Sequence, residues 1–370
     1  MIYLDNAATT FPKPPAVIRA VADCMENRGG NPGRGGHMLS RLCSESVFLC
    51  RENLAALIGC KNSERIIFTK NTTEALNTAI KGVLRPGDEV IISSMEHNSV
   101  LRSVVAMEKR GVTVKIARAD LSGRVSPEAY AALITPSTRL ICVIHASNIC
   151  GTVNPVEDIC RMARKKGILT LVDCAQTGGV IPINAEHFDM AAFAGHKGLY
   201  GPFGTGALYI RDGLELETLT EGGTGSMSES ALMPSELPDR FEAGTLNACG
   251  IAGLNEGIKF VMREGIHEKE MLLTQRLTDN LKNISGLRIL GESGVGVVGI
   301  VFSQKDCVEV STRLDSEYSI AARAGLQCSP MAHRTLGTFS SGMLRLSVGW
   351  FNTKKDVDTA AYAISRILSS

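Results

Sequence analysis

The sequence carries no excess charge of either sign: 39 Lys and Arg stand against 38 Asp and Glu over 370 residues. Without a field of one sign, nothing points to nucleic acid or to an anionic membrane surface as a partner. Long apolar runs are also missing. No stretch approaches the roughly 20 residues that span a bilayer. The opening "MIYLDNAATT" has neither the basic start nor the apolar core of a signal peptide. A soluble cytoplasmic protein is expected. The 11 cysteines never form a CxxC pair, and the seven histidines form no HExxH or HxH cluster. No metal site is therefore expected. Cys24, Cys43, Cys50, Cys60 and Cys142 sit among apolar neighbours and read as small core residues. Internal repeats, low-complexity segments and long linkers are absent too.

What is there is a chain 44% hydrophobic, long enough for a large core and for two lobes. "AVIRAVADCMEN" and "RLCSESVFLCRENLAALIG" carry apolar residues at helical spacing. "RIIFT", "DEVIIS", "VTVKIA", "RLICVIHAS", "ILTLVDCAQ", "MAAFAG" and "GALYI" read as strands. Helical patterns separate several of them. One, "VEDICRMARKKG", ends in a basic turn with Gly167 as its stop. Such alternation predicts an α/β fold with a mostly parallel sheet covered on both faces. Its ligands belong beyond the carboxyl ends of the strands. From about Met262 the pattern changes to a long amphipathic helix, a few strands and a final helix, a smaller α+β lobe.

The strand ends carry polar residues with chemical potential. "RIIFT" is followed by "KNTTEALN", where Asn71 and Glu74 suit a capping box. Thr72 and Thr73 then lie in a first turn rich in free N–H groups. That is either a well-capped helix or a phosphate site. His97 follows "DEVIIS" and heads a helix, as a cap neighbour or as a flat ring laid on a ligand. Asn148 follows "RLICVIHAS" as a hydrogen-bond donor. Asp173 ends an apolar run, a costly place for an acid without a cation. Gln176 lies just beyond it. Lys197 follows "AAFAGH", either snorkelling to water or kept as a nucleophile for a carbonyl compound.

Together these residues fit one ligand, pyridoxal 5′-phosphate (PLP). PLP enzymes require a lysine that forms a Schiff base and an acid for the pyridine nitrogen. "YLDNAATT", "TTEALN", "EHNS", "SNICGT", "VDCAQ", "GHKGLYGPFGTGALYI", "FEAGTLN" and "RAGLQC" resemble, in this order, the class V aminotransferase family of fold-type I PLP enzymes. Within that family the chain is similar to cysteine desulfurases of the group that includes SufS and selenocysteine lyase. The resemblance runs over nearly the whole chain.

It implies a large PLP-binding domain over 14–261 and a small domain made of 1–13 and 262–370. Lys197 would hold the cofactor, Asp173 would pair the ring nitrogen, Gln176 would contact the ring hydroxyl and His97 would stack on the ring. Thr73, His196 and Thr72 would bind the phosphate, and Asn148 would orient substrate or ring. Thr245 would reach the cofactor of a second subunit, so a homodimer is implied. Arg345 would clamp the substrate carboxylate with a bidentate guanidinium, and Arg323 would support the cysteine loop. Two features depart from the family: Ala194 stands where a phosphate-binding Ser or Thr is usual, and His333 follows the cysteine loop and reads as a solvated loop residue.

Cys328 decides among the reactions of the family. It lies in a loop between Gly325 and Pro330 with no apolar periodicity, which suits a nucleophile better than a core residue. The implied reaction takes L-cysteine to L-alanine and leaves a persulfide on Cys328. L-selenocysteine as substrate, another class V reaction and a non-catalytic sulfur-carrier scaffold are the alternatives. The persulfide would pass to an acceptor, such as a protein, and would serve iron–sulfur cluster assembly, thiolation or selenium delivery equally.

Overall fold

The structure is a computed structural model and describes residues 1–33 and 35–370. In chain order its first elements are β1 (Ile2–Tyr3), α1 (Pro15–Asn27), α2 (Met38–Leu57), β2 (Ile66–Thr69), α3 (Thr72–Val83), β3 (Glu89–Ser93) and α4 (Asn98–Glu108). Next come β4 (Thr113–Ala117), α5 (Pro127–Ala131), β5 (Thr138–Ile144), α6 (Val156–Arg164), β6 (Leu169–Asp173), β7 (Met190–Ala194) and β8 (Gly206–Ile210). Then follow α7 (Ala248–Arg263), α8 (Ile266–Lys282), β9 (Leu287–Leu290), β10 (Val297–Phe302) and α9 (Cys307–Tyr318). The chain closes with β11 (Ile320–Ala321), β12 (Arg323–Gly325), α10 (Pro330–Thr335), β13 (Met343–Ser347) and α11 (Lys354–Leu368).

Local chemistry explains many of these boundaries. α6 starts with Glu157 and Asp158 in its first turn and carries Arg161 and Arg164 in its last, matching the helix dipole. Gly167 then takes a φ of 70°, which stops it as expected. The Asn71 side chain caps α3 by accepting from Glu74 N at 2.9 Å. The expected capping box is displaced by one residue, because Glu74 reaches Lys70 N at 2.5 Å and not the Asn71 amide.

Seven strands form the central sheet in the order β2-β8-β7-β6-β5-β3-β4. β8 runs antiparallel to both of its neighbours, and the other pairs are parallel. Alternate residues of β5 serve opposite faces. Leu140 and Cys142 pack into one buried cluster, and Ile141 and Val143 into another. Each such buried aliphatic side chain contributes roughly 1.5–3 kcal/mol. From β3 the chain moves outward to β4 and then returns to β5 on the other side of β3. That reversal opens a crevice at the carboxyl ends of β3 and β5.

A second, antiparallel sheet has the order β12-β13-β10-β9. α8, α9 and α11 cover it through a cluster that includes Leu273, Leu277, Val310, Ile364 and Ile367. Leu4 joins this cluster, and β1 pairs in parallel with β11. The two sheets meet through Tyr200, whose hydroxyl accepts from Trp350 N at 2.7 Å and donates to Glu270 Oε1 at 3.3 Å. No helix among the described residues is long and apolar enough to cross a membrane.

Candidate active site

Five strands deliver side chains to one crevice. β2 leads to Asn71, Thr72 and Thr73, β3 to His97, β5 to Asn148, β6 to Asp173 and Gln176, and β7 to His196 and Lys197. All of them line one cavity of about 180 Å³, together with Ser99, Ile144, Ala146 and Ala175. Gly198 helps to bring Lys197 near Gln176. A Cβ at Gly198 would stand 2.5 Å from the Gly178 carbonyl oxygen, so the two loops meet only without one.

Burial sets the electrostatics. It lowers Lys197 to about 8, with the Asp173 charge pulling upward and the Arg345 and Arg323 charges pushing further down. Burial raises Asp173, against a 2.9 Å hydrogen bond from Ala175 N and the Lys197 charge. His97 falls to about 4, first through burial and then through the Lys197, Arg323, Arg102 and Arg345 charges. Its ring is therefore neutral near pH 7. His97 Nδ1 accepts from Ser99 N at 3.1 Å and so caps α4, which leaves the ring proton on Nε2. His196 is likewise lowered to about 4 by burial and then by the Lys197 and Lys13 charges.

Two buried polar atoms in the cavity wall lack a partner, Thr72 Oγ1 and His196 Nδ1. They sit with the N-terminus of α3, where backbone N–H groups are free. An acid, a lysine whose pKa is lowered by burial, a neutral ring and an anion site thus share one cavity. That donor set fits PLP. Ala194 is buried at the end of β7 and is not among the cavity residues. Gln176 lines the cavity while one amide hydrogen goes to the Ala7 carbonyl at 3.1 Å.

The second sheet brings two arginines beside the crevice. Arg323 and Arg345 are directly paired across β12 and β13, so their side chains share a face. Arg345 is 2% exposed. Its Nη2 donates to Asp5 Oδ1 at 2.6 Å and its Nη1 to the Asn148 carbonyl at 2.9 Å, and its Nε has no partner. Two of its three nitrogens are thus engaged within the chain, which departs from a free bidentate fork. Thr245 is not in this cavity. It is exposed and lines a separate groove of about 180 Å³ with Thr69, Lys70 and Glu74.

Among the described residues Cys328 is the one exposed cysteine. Cys24, Cys43, Cys50 and Cys142 are buried as expected, whereas Cys60 is half-buried and donates to the Asn62 carbonyl. The expectation for His333 is overturned. It sits on α10 with no exposed surface, bonded to Thr338 and Gln327. Sequence reasoning also missed Ser99 and Asp5. The Ser99 hydroxyl stands 2.8 Å from Thr73 Oγ1 and 2.9 Å from His97 Nδ1. No group of three or more His, Cys, Asp or Glu among the described residues is arranged to hold a metal ion.

The family model for aminotransferase class-V matches residues 2–359. The chain belongs to the aminotransferase class-V family. Among its relatives, a probable cysteine desulfurase of Methanothermobacter thermautotrophicus is 35% identical, over 99% of this chain and 94% of that one. A cysteine desulfurase of Salmonella choleraesuis is 32% identical, over 99% and 93%. Among solved structures, the apo cysteine desulfurase of Thermococcus onnurineus NA1 superposes with a TM-score of 0.92 at 30% identity, covering 100% of this chain and 94% of that one. The cysteine desulfurase CsdA (S-sulfonic acid) from Escherichia coli gives a TM-score of 0.89 at 28% identity, with the same coverage. The fold is thus that of class V enzymes, and the family implies PLP as cofactor.

Proposed function

We propose that this chain is a PLP-dependent cysteine desulfurase that takes L-cysteine to L-alanine and stores the sulfur as a persulfide on Cys328. The observation that carries the reading is the junction between Cys328 and the cavity. Cys328, the one exposed cysteine among the described residues, sits between two residues bonded to Asn148, and Asn148 lines the same cavity as Lys197 and Asp173. A plain aminotransferase has no use for a thiol there.

Bound in that cavity, PLP supplies an aldehyde for an amine and a ring that draws charge from the substrate α-carbon. Thr72, Thr73 and His196 would hold its phosphate, Asp173 its ring nitrogen, Gln176 its hydroxyl, and the neutral His97 ring its face. Lys197, its pKa lowered to about 8 by burial, is the group suited to carry the cofactor and to move the α-proton. Arg345 would take the substrate carboxylate through its unpartnered Nε, with Arg323 adding positive charge. The Cys328 thiolate attacks the substrate sulfur, and the Cβ–S bond breaks with its electron pair left on carbon. L-Alanine leaves after protonation, and the persulfide waits for an acceptor thiol. The division into a large domain, 14–261, and a small one, 1–13 with 262–370, is part of the same reading. So is a homodimer in which Thr245 serves the second subunit's cofactor.

Mass spectrometry of the loaded enzyme after brief exposure to L-cysteine without reductant tests the reading. One added sulfur should map to the Cys328 peptide. Cys328→Ser should keep the cofactor's visible band and its change on adding L-cysteine, yet release almost no alanine. Sulfur on another cysteine, or alanine released by Cys328→Ser at the wild-type rate, would refute it.

A further inference from the structure

The turn that presents Cys328 is held in an unfavourable shape. Gln327 has a φ of 42° and Cys328 a φ of 59°, and neither is glycine. The left-handed region is disfavoured for a residue that carries a Cβ. Two in succession persist only where the surroundings over-determine them.

Here the surroundings can be traced atom by atom. The Gln327 carbonyl accepts from Asn148 Nδ2 at 2.9 Å, and the Cys328 carbonyl accepts from Asn98 N at 2.8 Å. Ser329 Oγ donates to Asn148 Oδ1 at 2.8 Å. Beneath them the Gln327 side chain, 4% exposed, is locked. Its Nε2 donates to the Arg323 carbonyl at 3.2 Å and the Met343 carbonyl at 3.1 Å. With both amide hydrogens spent on carbonyls, Oε1 must face His333 Nε2, 3.1 Å away. An amide oxygen only accepts, so His333 carries its proton on Nε2. His333 Nδ1 then accepts from Thr338 Oγ1 at 2.7 Å. Burial lowers the pKa of this imidazole, which favours the neutral ring the arrangement needs.

We propose that His333, acting through Gln327, is a positioning residue that holds the Cys328 turn in its left-handed shape and so sets the rate of sulfur capture. The inference rests on the reading of Cys328 as the sulfur acceptor. Neither His333 nor Gln327 lines the cavity where the cofactor groups converge. They govern where the thiol stands relative to Asn148 and to the start of α4, which His97 caps. Freed of His333, Gln327 Oε1 loses the partner that fixes it, and the turn can relax to ordinary backbone angles. A displacement of about 1 Å at a reacting group can cost about 100-fold in rate.

The test uses the full-length, cofactor-loaded enzyme and its His333→Ala, His333→Gln and Thr338→Val variants. In His333→Ala, persulfide formation on Cys328 should slow by about 10- to 100-fold. KM for L-cysteine and the cofactor's visible spectrum should stay as in the wild type. Alkylation of Cys328 by iodoacetamide, mapped by mass spectrometry without substrate, should become faster. His333→Gln can offer an amide N–H to the same Gln327 oxygen and should restore both readouts. A wild-type rate of persulfide formation in folded His333→Ala overturns the proposal. So does a loss of persulfide that merely tracks loss of cofactor and that His333→Gln does not rescue. If His333→Ala fails to fold, Thr338→Val decides: slowed sulfur capture at unchanged KM supports the clamp, and an unchanged rate overturns it. Failure of the desulfurase reading looks different, because it would show as alanine released normally by Cys328→Ser.

Discussion

Lys197 offers the sharpest quantitative test of the site, because its free-amine fraction follows from its surroundings. Burial brings it from 10.5 down to about 8. At pH 7 about one lysine in ten would then be a free amine, against roughly one in 3,000 at the ordinary value, a gain of about 300-fold. Only the free amine attacks an aldehyde. When cofactor-free protein is mixed with PLP in a stopped-flow spectrometer, the rate of covalent capture should rise about tenfold per pH unit below the transition and level off above about 8. Asp173 supplies a second arm. Its charge pulls the lysine upward, so Asp173→Asn should move the plateau to lower pH. Arg345→Met removes a cation that pushes the lysine down, and should move it to higher pH. A capture rate that keeps climbing through pH 9.5, as an ordinary lysine would give, refutes the reasoning. So does an upward shift in Asp173→Asn.

Glu270 should make stability fall toward alkaline pH. Burial pushes it from 4.5 up to about 8, against a hydrogen bond from Tyr200. Its folded-state pKa lies above its unfolded one, so its contribution is complete below about 4.5 and is lost as pH rises through about 8. Glu270→Gln should therefore gain on the wild type in urea midpoint as pH climbs across that window, and a gap constant with pH would contradict this. Thr245 is exposed and outside its own chain's cavity, while Ile18 and Met25 on one face of α1 and Phe48 on α2 expose apolar surface. Light scattering at assay concentration should report two chains, and Thr245→Ala should lose PLP faster on dialysis. A stable, fully active monomer would sink that reading.

The parallel sheet and the polar crevice at its carboxyl edge were legible because both rest on local signals. β5 and β6 are apolar on both faces, and a polar residue such as Asp173 at the end of such a run must answer to something outside the strand. Helix ends were legible for the same reason, although the Glu74 side chain passed over the expected amide for its neighbour. What could not be read was anything decided by a partner far along the chain. Asp5 and Arg345 lie at opposite ends of the sequence, yet they form an ion pair that takes up part of the expected carboxylate clamp. Glu270 belongs to a stretch, "HEKEM", that looks solvated, yet it is buried and meets the Tyr200 hydroxyl, which lies 70 residues away in the chain.

His333 shows why local reading fails beside the proposed nucleophile. α10 runs only from Pro330 to Thr335, too short for a hydrophobic period to mark its inner face. A histidine in a short polar stretch is ordinarily solvated. Here Thr338 and Gln327 satisfy both ring nitrogens, which removes the cost of burying it. The same logic covers the cysteine beside it. The stretch "RAGLQCSP" marks Cys328 as the candidate nucleophile through its type and its loop. The left-handed shape of that loop comes instead from donors and acceptors spread from Asn98 to Thr338. A motif can thus carry the identity of a nucleophile while its orientation is distributed over residues that no motif contains, and substitutions at those residues should alter sulfur capture without altering the motif at all.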